Sequence, residues 1–331
     1  MDKILLGHGS GGTLMHELIR EYFSPAFGTS GMGDSAIVNV PSRRLAYTTD
    51  SYVVFPLFFP GGNIGELAVY GTVNDLAVSG AEPLFLTAGF VIEEGFPLSD
   101  LKTIIASMAA AAKKAGVQIV AGDTKVVNKG KADGIFINTS GIGIVPDGRE
   151  ASASRIRNCD VVIISGEIGN HGVSVISERN GLTFDPPVKS DTRPLNGLVK
   201  AMFDVSKEIR FMRDPTRGGV ATTLKEAALE SGLCIRIREE SLPIPPGVKG
   251  ACSLLGLDPL YVANEGILIA VVDRKVADPV LAAMKHHPDG GNAAIIGEVQ
   301  ESPARKVLLD TSIGGSRIID MLRGEMLPRI C

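Results

Sequence analysis

At 331 residues the chain is long enough for two ordinary domains with proper cores, and its 44% hydrophobic and 21% charged content is that of a folded globular protein. A net charge of −4, no tryptophan and only 5% aromatic residues exclude a basic stripe for nucleic acid, a base-stacking platform and a polybasic membrane anchor. Four cysteines (Cys159, Cys234, Cys252 and Cys331) with no C-x-x-C pair argue against a zinc site or disulfide framework.

The first residues, Met1-Asp2-Lys3-Ile4-Leu5-Leu6-Gly7, lack a signal-peptide apolar region, and no later apolar run approaches membrane-spanning length. The expected location is the cytoplasm. His8-Gly9-Ser10-Gly11-Gly12-Thr13 then leads into a helical pattern over 14–22. A glycine-rich loop entering a helix turns N–H groups outward at the positive end of a dipole, a ready place for phosphate; it is equally the form of a bare turn-to-helix junction. Gly31-Met32-Gly33-Asp34-Ser35-Ala36 precedes a strand over 37–40, and a second strand over 44–50 ends in Thr48-Thr49-Asp50-Ser51. A carboxylate at a strand end serves either as a ligand or as a turn former.

The pattern over 63–80 predicts a helix capped by Asn63, with Glu66 three residues on and Gly80 closing it. Ile64, Leu67, Ala68 and Gly71 form its core side. Asn74 and Asp75 are poor helix formers among apolar neighbours, and that local inconsistency marks a site. A strand over 85–92 and an amphipathic helix over 98–115, closed by Gly116, follow. Residues 117–125 again read as strand, glycine, Asp123, then Lys125. Three elements now contribute Asp50, Asp75 and Asp123. Gathered together they suit Mg²⁺, which takes few carboxylates plus phosphate oxygens, and Lys125 supplies charge at a transferred phosphoryl group. A strand over 135–145 closes this half.

Pro146-Asp147-Gly148-Arg149 is a turn and the domain boundary. A strand over 161–165 leads into a second glycine-rich loop, 166–172, in which His171 is either a ligand or a structural histidine. Cys159 and Cys234 flank apolar strand-like runs and read as inert core residues. Residues 195–210 read as helix. In Asp214-Pro215-Thr216-Arg217-Gly218-Gly219, Pro215 breaks regular structure, Thr216 is placed to cap a helix reaching Ser231, and the paired glycines permit close packing or close ligand approach. Strands over 233–237 and 267–272 follow, with Asn264-Glu265-Gly266 setting a carboxylate at the entry of the second. Residues 314–322 read as a short last helix. The sequence stops on a thiol, Met326-Leu327-Pro328-Arg329-Ile330-Cys331. A ten-residue tail from Leu322, fully extended, reaches roughly 33 Å, and Pro328 favours an extended path.

Gly71-Thr72-Val73-Asn74-Asp75-Leu76-Ala77, Ala121-Gly122-Asp123-Thr124, Asp214-Pro215-Thr216-Arg217-Gly218-Gly219 and Ala263-Asn264-Glu265-Gly266 together resemble the signatures of the PurM-like superfamily. Its members include aminoimidazole ribonucleotide synthetase, selenophosphate synthetase and thiamine-monophosphate kinase. Pro328-Arg329-Ile330-Cys331 narrows the resemblance to the hydrogenase expression/formation family, and the match runs in order along nearly the whole chain. The resemblance implies a two-domain α/β (α+β) fold: an ATP-binding, dimerising domain over 1–147, a second α/β domain over 148–321, and a mobile tail over 322–331. It implies ATP-dependent dehydration of a carbamoyl group carried on Cys331 to a thiocyanate, which provides the cyanide ligands of a [NiFe]-hydrogenase. The implied partners are a HypF-like carbamoyltransferase that loads the cysteine, a HypC–HypD complex that accepts the cyano group, and a second copy of the chain.

By the same resemblance Asp50, Asp75 and Asp123 are Mg-ATP ligands, with Asn74 beside them. His8, Gly11 and Gly12 lie near the phosphates, Lys125 near the reacting phosphoryl group, and Glu265 acts as an acid–base or positioning residue; the base for the nitrogen proton is either Lys125 or Glu265. Selenophosphate synthetase typically has a reactive cysteine or selenocysteine in its first glycine-rich loop, and residues 8–12 contain none. A synthetase acting on a free small molecule and a non-catalytic thiol carrier are the alternatives.

Overall fold

The elements follow the apolar spacing closely in the first half of the chain. The computed structural model describes residues 13–18, 20, 36–40, 43–322, 324, 327 and 329–331. The loop holding His8, Gly11 and Gly12, and the 31–35 segment, lie outside the described residues.

A short helix α1 (Thr13–Leu18) precedes β1 (Ala36–Val40) and β2 (Arg43–Tyr52). A two-stranded ribbon, β3 (Phe58–Phe59) and β4 (Gly62–Asn63), leads into α2 (Ile64–Val78). β5 (Glu82–Glu93), α3 (Leu98–Ala115), β6 (Gln118–Val127) and β7 (Ile135–Val145) complete a five-stranded sheet in the order β1-β2-β7-β5-β6. Along β7 every second residue is buried, so Ile135, Ile137, Thr139 and Val145 face inward while Phe136, Asn138 and Ser140 face the other way. α2 lies on the inward face. Asn63 caps it, its side-chain oxygen accepting from Gly65 N (2.8 Å) and from Ser107 Oγ (2.7 Å). Nearly every side of α2 is apolar and buried, as befits a helix packed against its own sheet and also against the second domain.

The second sheet has seven strands. Its elements in chain order are β8 (Val161–Ile164), α4 (Asn170–Asn180), α5 (Asn196–Val205), β9 (Ile209–Arg213), α6 (Gly219–Ser231), β10 (Cys234–Arg238), α7 (Pro246–Leu255), β11 (Ile269–Val272), α8 (Ala277–His286), β12 (Ala294–Gln300), β13 (Val307–Asp310) and β14 (Ser316–Ile319). The order across the sheet is β14-β13-β10-β12-β8-β11-β9. β8 and β11 are buried on both faces, which is why they read as continuous apolar runs, whereas β9 is equally buried although it carries Arg210 and Arg213. Among the described residues no helix is long and apolar enough to cross a membrane.

Several expectations are corrected. The segment expected as a last helix over 314–322 contains β14, paired antiparallel with β13 in the register Val307↔Ile319. Ile319 is buried while Ser316, Arg317 and Ile318 are exposed, so one side chain anchors an edge strand with no helical stripe. The helix expected over 195–210 stops at Val205, and residues 209–213 form β9. Asp50 and Asp123 sit inside β2 and β6, not at strand ends. The residue capping α6 is Gly218 in the left-handed region, not Thr216. Cys159 is exposed, with φ at 70°, whereas Cys234 is buried as expected.

Candidate active site

The last three residues are held between the two domains. The carbonyls of Arg329 and Cys331 accept hydrogen bonds from Phe55 N (3.1 Å) and Val53 N (3.0 Å), so they pair antiparallel with the stretch that continues β2. The Ile330 carbonyl points the other way, as alternation requires, and meets His171 Nε2 on α4 at 2.7 Å. A carbonyl can only accept, so Nε2 carries the proton. Arg179, also on α4, donates to the carbonyls of Phe55 (2.6 Å) and Arg329 (2.8 Å). The Arg329 side chain donates through Nε to Val53 O (2.9 Å), pairs with Asp133, and lies over the rings of Phe55 and Phe136 at 5.3 and 5.9 Å. This grip holds Arg329 at φ 51°, a left-handed conformation that disfavours a side chain and departs from the extended path expected after Pro328. The Ile330 side chain is 3% exposed and packs into the core of the first domain, which also takes in Val175 and Ala263.

Cys331 thereby lands among charges. Burial pushes its thiol up to about 12, opposed by a hydrogen bond and the positive charge of Arg217, with Glu265 and Asp50 close enough to raise it further. Arg217 is in turn held more firmly protonated by Cys331, Asp50 and Glu265. Glu265 is 2% exposed, and its Oε1 is buried without a hydrogen-bond partner among the described residues. Burial, then repulsion from Asp214, Asp50 and Asp191, holds its carboxyl far above the usual range against the pull of Arg217. Asp50 is raised by burial too, despite Arg217, a hydrogen bond with Tyr52 and one from Ser51 N (2.9 Å).

The local sequence explains how these groups meet. Thr48, Asp50 and Tyr52 alternate along β2 on the face that looks toward α2. Thr48 Oγ1 donates to Asp75 Oδ2 (2.8 Å), and Tyr52 Oη lies so close to Gly71 that any Cβ there would overlap it. Asn264 ties the two second-domain motifs together: its Nδ2 donates to Pro215 O (2.9 Å), and its Oδ1 accepts from Gly169 N (2.7 Å). Asp191 accepts from the amides of Glu265 (3.2 Å) and Gly266 (2.9 Å), and fixes the carboxylate's backbone. A Cβ on Gly219 would run into the Leu260 and Val262 carbonyls, so the paired glycines serve close packing.

The remaining expected site residues divide. Asn74 is fully buried and joins the domains: its Nδ2 donates to the carbonyls of Arg193 (3.1 Å) and Glu265 (3.4 Å), and its Oδ1 accepts from Leu195 N (2.8 Å). Asp75 is half-buried beside Thr48 and within electrostatic reach of Tyr52, as is Asp50. Asp123 stands elsewhere. In the register Asp50↔Thr139↔Ala88↔Gly122 it falls one residue along, with Ser51, Asn138 and Gly89, and therefore on the opposite face of the sheet from Asp50. Three strand spacings separate their backbones by about 14 Å. Asp123 is 71% exposed and pairs at 3.5 Å with Lys125, itself 73% exposed. Among the described residues no group of three or more His, Cys, Asp or Glu is placed to hold a metal ion. Asp50 and Asp75 fit a magnesium that arrives with phosphate oxygens as its other ligands; within one chain Asp123 does not join them.

Sequence reasoning gave no role to Arg217, Arg179, Arg329 or Tyr52. Arg217 and Arg329 lay in motifs already singled out, and the other two carried no local signal.

Family models match both halves of the chain: the AIR synthase related protein N-terminal domain over residues 32–145, and the C-terminal domain over 160–310. The carbamoyl dehydratase HypE of Bradyrhizobium diazoefficiens is 54% identical over 330 residues, covering 98% of this chain and 95% of the relative. Among solved structures, a HypE–HypF complex matches with a TM-score of 0.88 and 52% identity, covering 92% of this chain and 99% of that one. The hydrogenase maturation protein HypE in complex with ATP matches with a TM-score of 0.85 and 44% identity, covering 99% of this chain and 100% of that one.

Proposed function

Because the chain belongs to the HypE family of carbamoyl dehydratases, we propose that it uses ATP to dehydrate a carbamoyl group on its own Cys331 to a thiocyanate, for the cyanide ligands of a [NiFe]-hydrogenase. The observation that carries this reading is the placement of Cys331, buried between the domains beside Arg217, Asp50 and the orphaned carboxyl of Glu265.

The residues support the chemistry in order. The oxygen of –S–CO–NH₂ is a very poor leaving group until it is phosphorylated. Transfer of the phosphoryl group from ATP to that oxygen, with release of the first N–H proton, gives an imidate phosphate and ADP. Removal of the remaining N–H proton then expels phosphate and leaves –S–C≡N. Arg217, already bonded to the sulfur, holds the carbamoyl group and offsets the negative charge that gathers on its oxygen. Glu265, with its buried Oε1 beside Cys331, is placed to take the nitrogen proton in its ionised form, which the charge of Arg217 favours. The dry surroundings of Cys331 protect the activated group from hydrolysis. Asp50 and Asp75 would hold a magnesium arriving with the nucleotide, which would supply charge neutralisation on the phosphates.

Lys125 and Asp123 lie on the face of the first sheet that no described element covers, with Phe85 (43% exposed) and Val91 (38%). We assign that face to a homodimer contact, which brings Asp123 and Lys125 of one copy toward the nucleotide of the other. The division at 147/148, with residues 322–331 as a tether, suits a thiol that a HypF-like carbamoyltransferase must load and a HypC–HypD complex must relieve, in the cytoplasm. The test is mass spectrometry of the C-terminal peptide of S-carbamoylated protein after incubation with ATP. Loss of one water with a nitrile on Cys331, absent in Cys331→Ala, supports the reading. ATP consumption without that nitrile ends it.

A further inference from the structure

The proposed chemistry leaves His171 without a task, yet the ring is entirely buried and both its nitrogens are engaged. Its edge meets Phe59 at 5.4 Å between centroids. With the proton on Nε2 for the Ile330 carbonyl, Nδ1 is left as an acceptor, so Ser190 Oγ–H donates to it (2.8 Å). Ser190 Oγ accepts in turn from Thr192 N (3.1 Å) and bonds Thr192 Oγ1 (2.6 Å), and Ser190 N is tied to Pro60 O (2.8 Å) in the first domain. The chain Thr192–Ser190–His171 therefore fixes one tautomer and aims one N–H at one carbonyl of the tail. Burial lowers the basicity of the ring and keeps it neutral, against the pull of Asp191.

We infer that His171 is a positioning residue that sets the register in which the tail docks. Val53 and Phe55 take the carbonyls of Cys331 and Arg329; His171 takes the carbonyl between them, on the opposite edge of the tail. Only this register satisfies all three at once while turning Cys331 Sγ toward Arg217. A slip of one residue would direct the final side chain to the opposite face. His171 thus acts on the reaction through the tail and without touching the reacting atoms. The kinetic part of the inference rests on the dehydratase reading; the docking part does not.

The test uses the full chain. Iodoacetamide labelling of the C-terminal peptide, with exposed Cys159 as internal reference, reports docking, and water loss from S-carbamoylated protein in a single turnover reports chemistry. His171→Ala is expected to raise Cys331 labelling about tenfold or more and to slow water loss by a similar factor, with ATP affinity unchanged. His171→Gln, which keeps an N–H donor, restores most of both. Ser190→Ala, one step removed from the tail, raises labelling severalfold and serves if His171→Ala fails to fold. Unchanged Cys331 labelling in folded His171→Ala or Ser190→Ala overturns the inference, and so does a Gln variant as unprotected as the Ala variant. Protection that depends on His171 in a protein that never loses water supports the docking role and overturns the dehydratase reading instead.

Discussion

Shortening Ile330 to alanine should release the tail while leaving the domains folded. Among the described residues, four hydrogen bonds reach main-chain carbonyls of the final three residues, from Val53, Phe55, His171 and Arg179. At about 1 kcal/mol net each, with about 3 kcal/mol for the buried Ile330 side chain and about 2 kcal/mol for the Arg329 side chain through its bond to Val53 O and its place over two rings, docking gains about 9 kcal/mol. Ordering three backbone units and the side chains of Arg329 and Ile330 costs about 7 kcal/mol. The docked tail is ahead by only about 2 kcal/mol, so docking is reversible, as the proposed group carrier needs. Ile330→Ala removes three carbons from a site that is 3% exposed, about 2.4 kcal/mol, and this moves the docking equilibrium about 50-fold. The amides of Val53 and Phe55 report it directly, since their acceptors are tail carbonyls. Their hydrogen exchange should quicken by about that factor, or up to the rate of a free amide, while Ile137 in β7 stays unchanged. Unaltered exchange at Val53 and Phe55 would show that the tail is not held by Ile330, and the reasoning fails with it.

Deleting residues 326–331 removes a nearly balanced contact, so Tm should move by no more than a few degrees, and a large drop would make the tail structural. Glu265→Gln should abolish water loss and also change the pH dependence of stability. The carboxyl is raised in the folded protein, so its stabilising contribution is complete below the ordinary carboxylate range near 4 and is lost as pH rises through the raised value. The advantage of Glu265→Gln in Tm should therefore grow from pH 5 to pH 8; a flat difference contradicts the buried, orphaned carboxyl. Asp123→Asn should weaken Mg-ATP binding about tenfold or more in calorimetry, and unchanged affinity removes Asp123 from the nucleotide site.

Much of the first domain was written locally. Asn63 capping α2, Gly116 closing α3 and the strict alternation of β7 are short-range effects of capping, left-handed glycine and pleat, and each expected element stands where those rules put it. The same rules misread 314–322, because an edge strand with one buried side chain carries too little period to be told from a helical turn. They marked Asn74, Asp75, Arg217 and Glu265 as notable without saying why. Asn74 proved to be spent on three backbone groups of the other domain, whereas Glu265 was left with a buried oxygen that has no partner among the described residues.

The sequence by itself determined the chemistry available: a thiol on the last residue, carboxylates inside apolar segments, and glycines where backbones must come close. Only the tertiary structure decided which of them meet. Pleat parity sends Asp123 and Asp50 to opposite faces of one sheet, and alternation along the last three residues turns one carbonyl to His171 and two to the strand. Both outcomes depend on the register between segments far apart in the chain, and no local pattern encodes that.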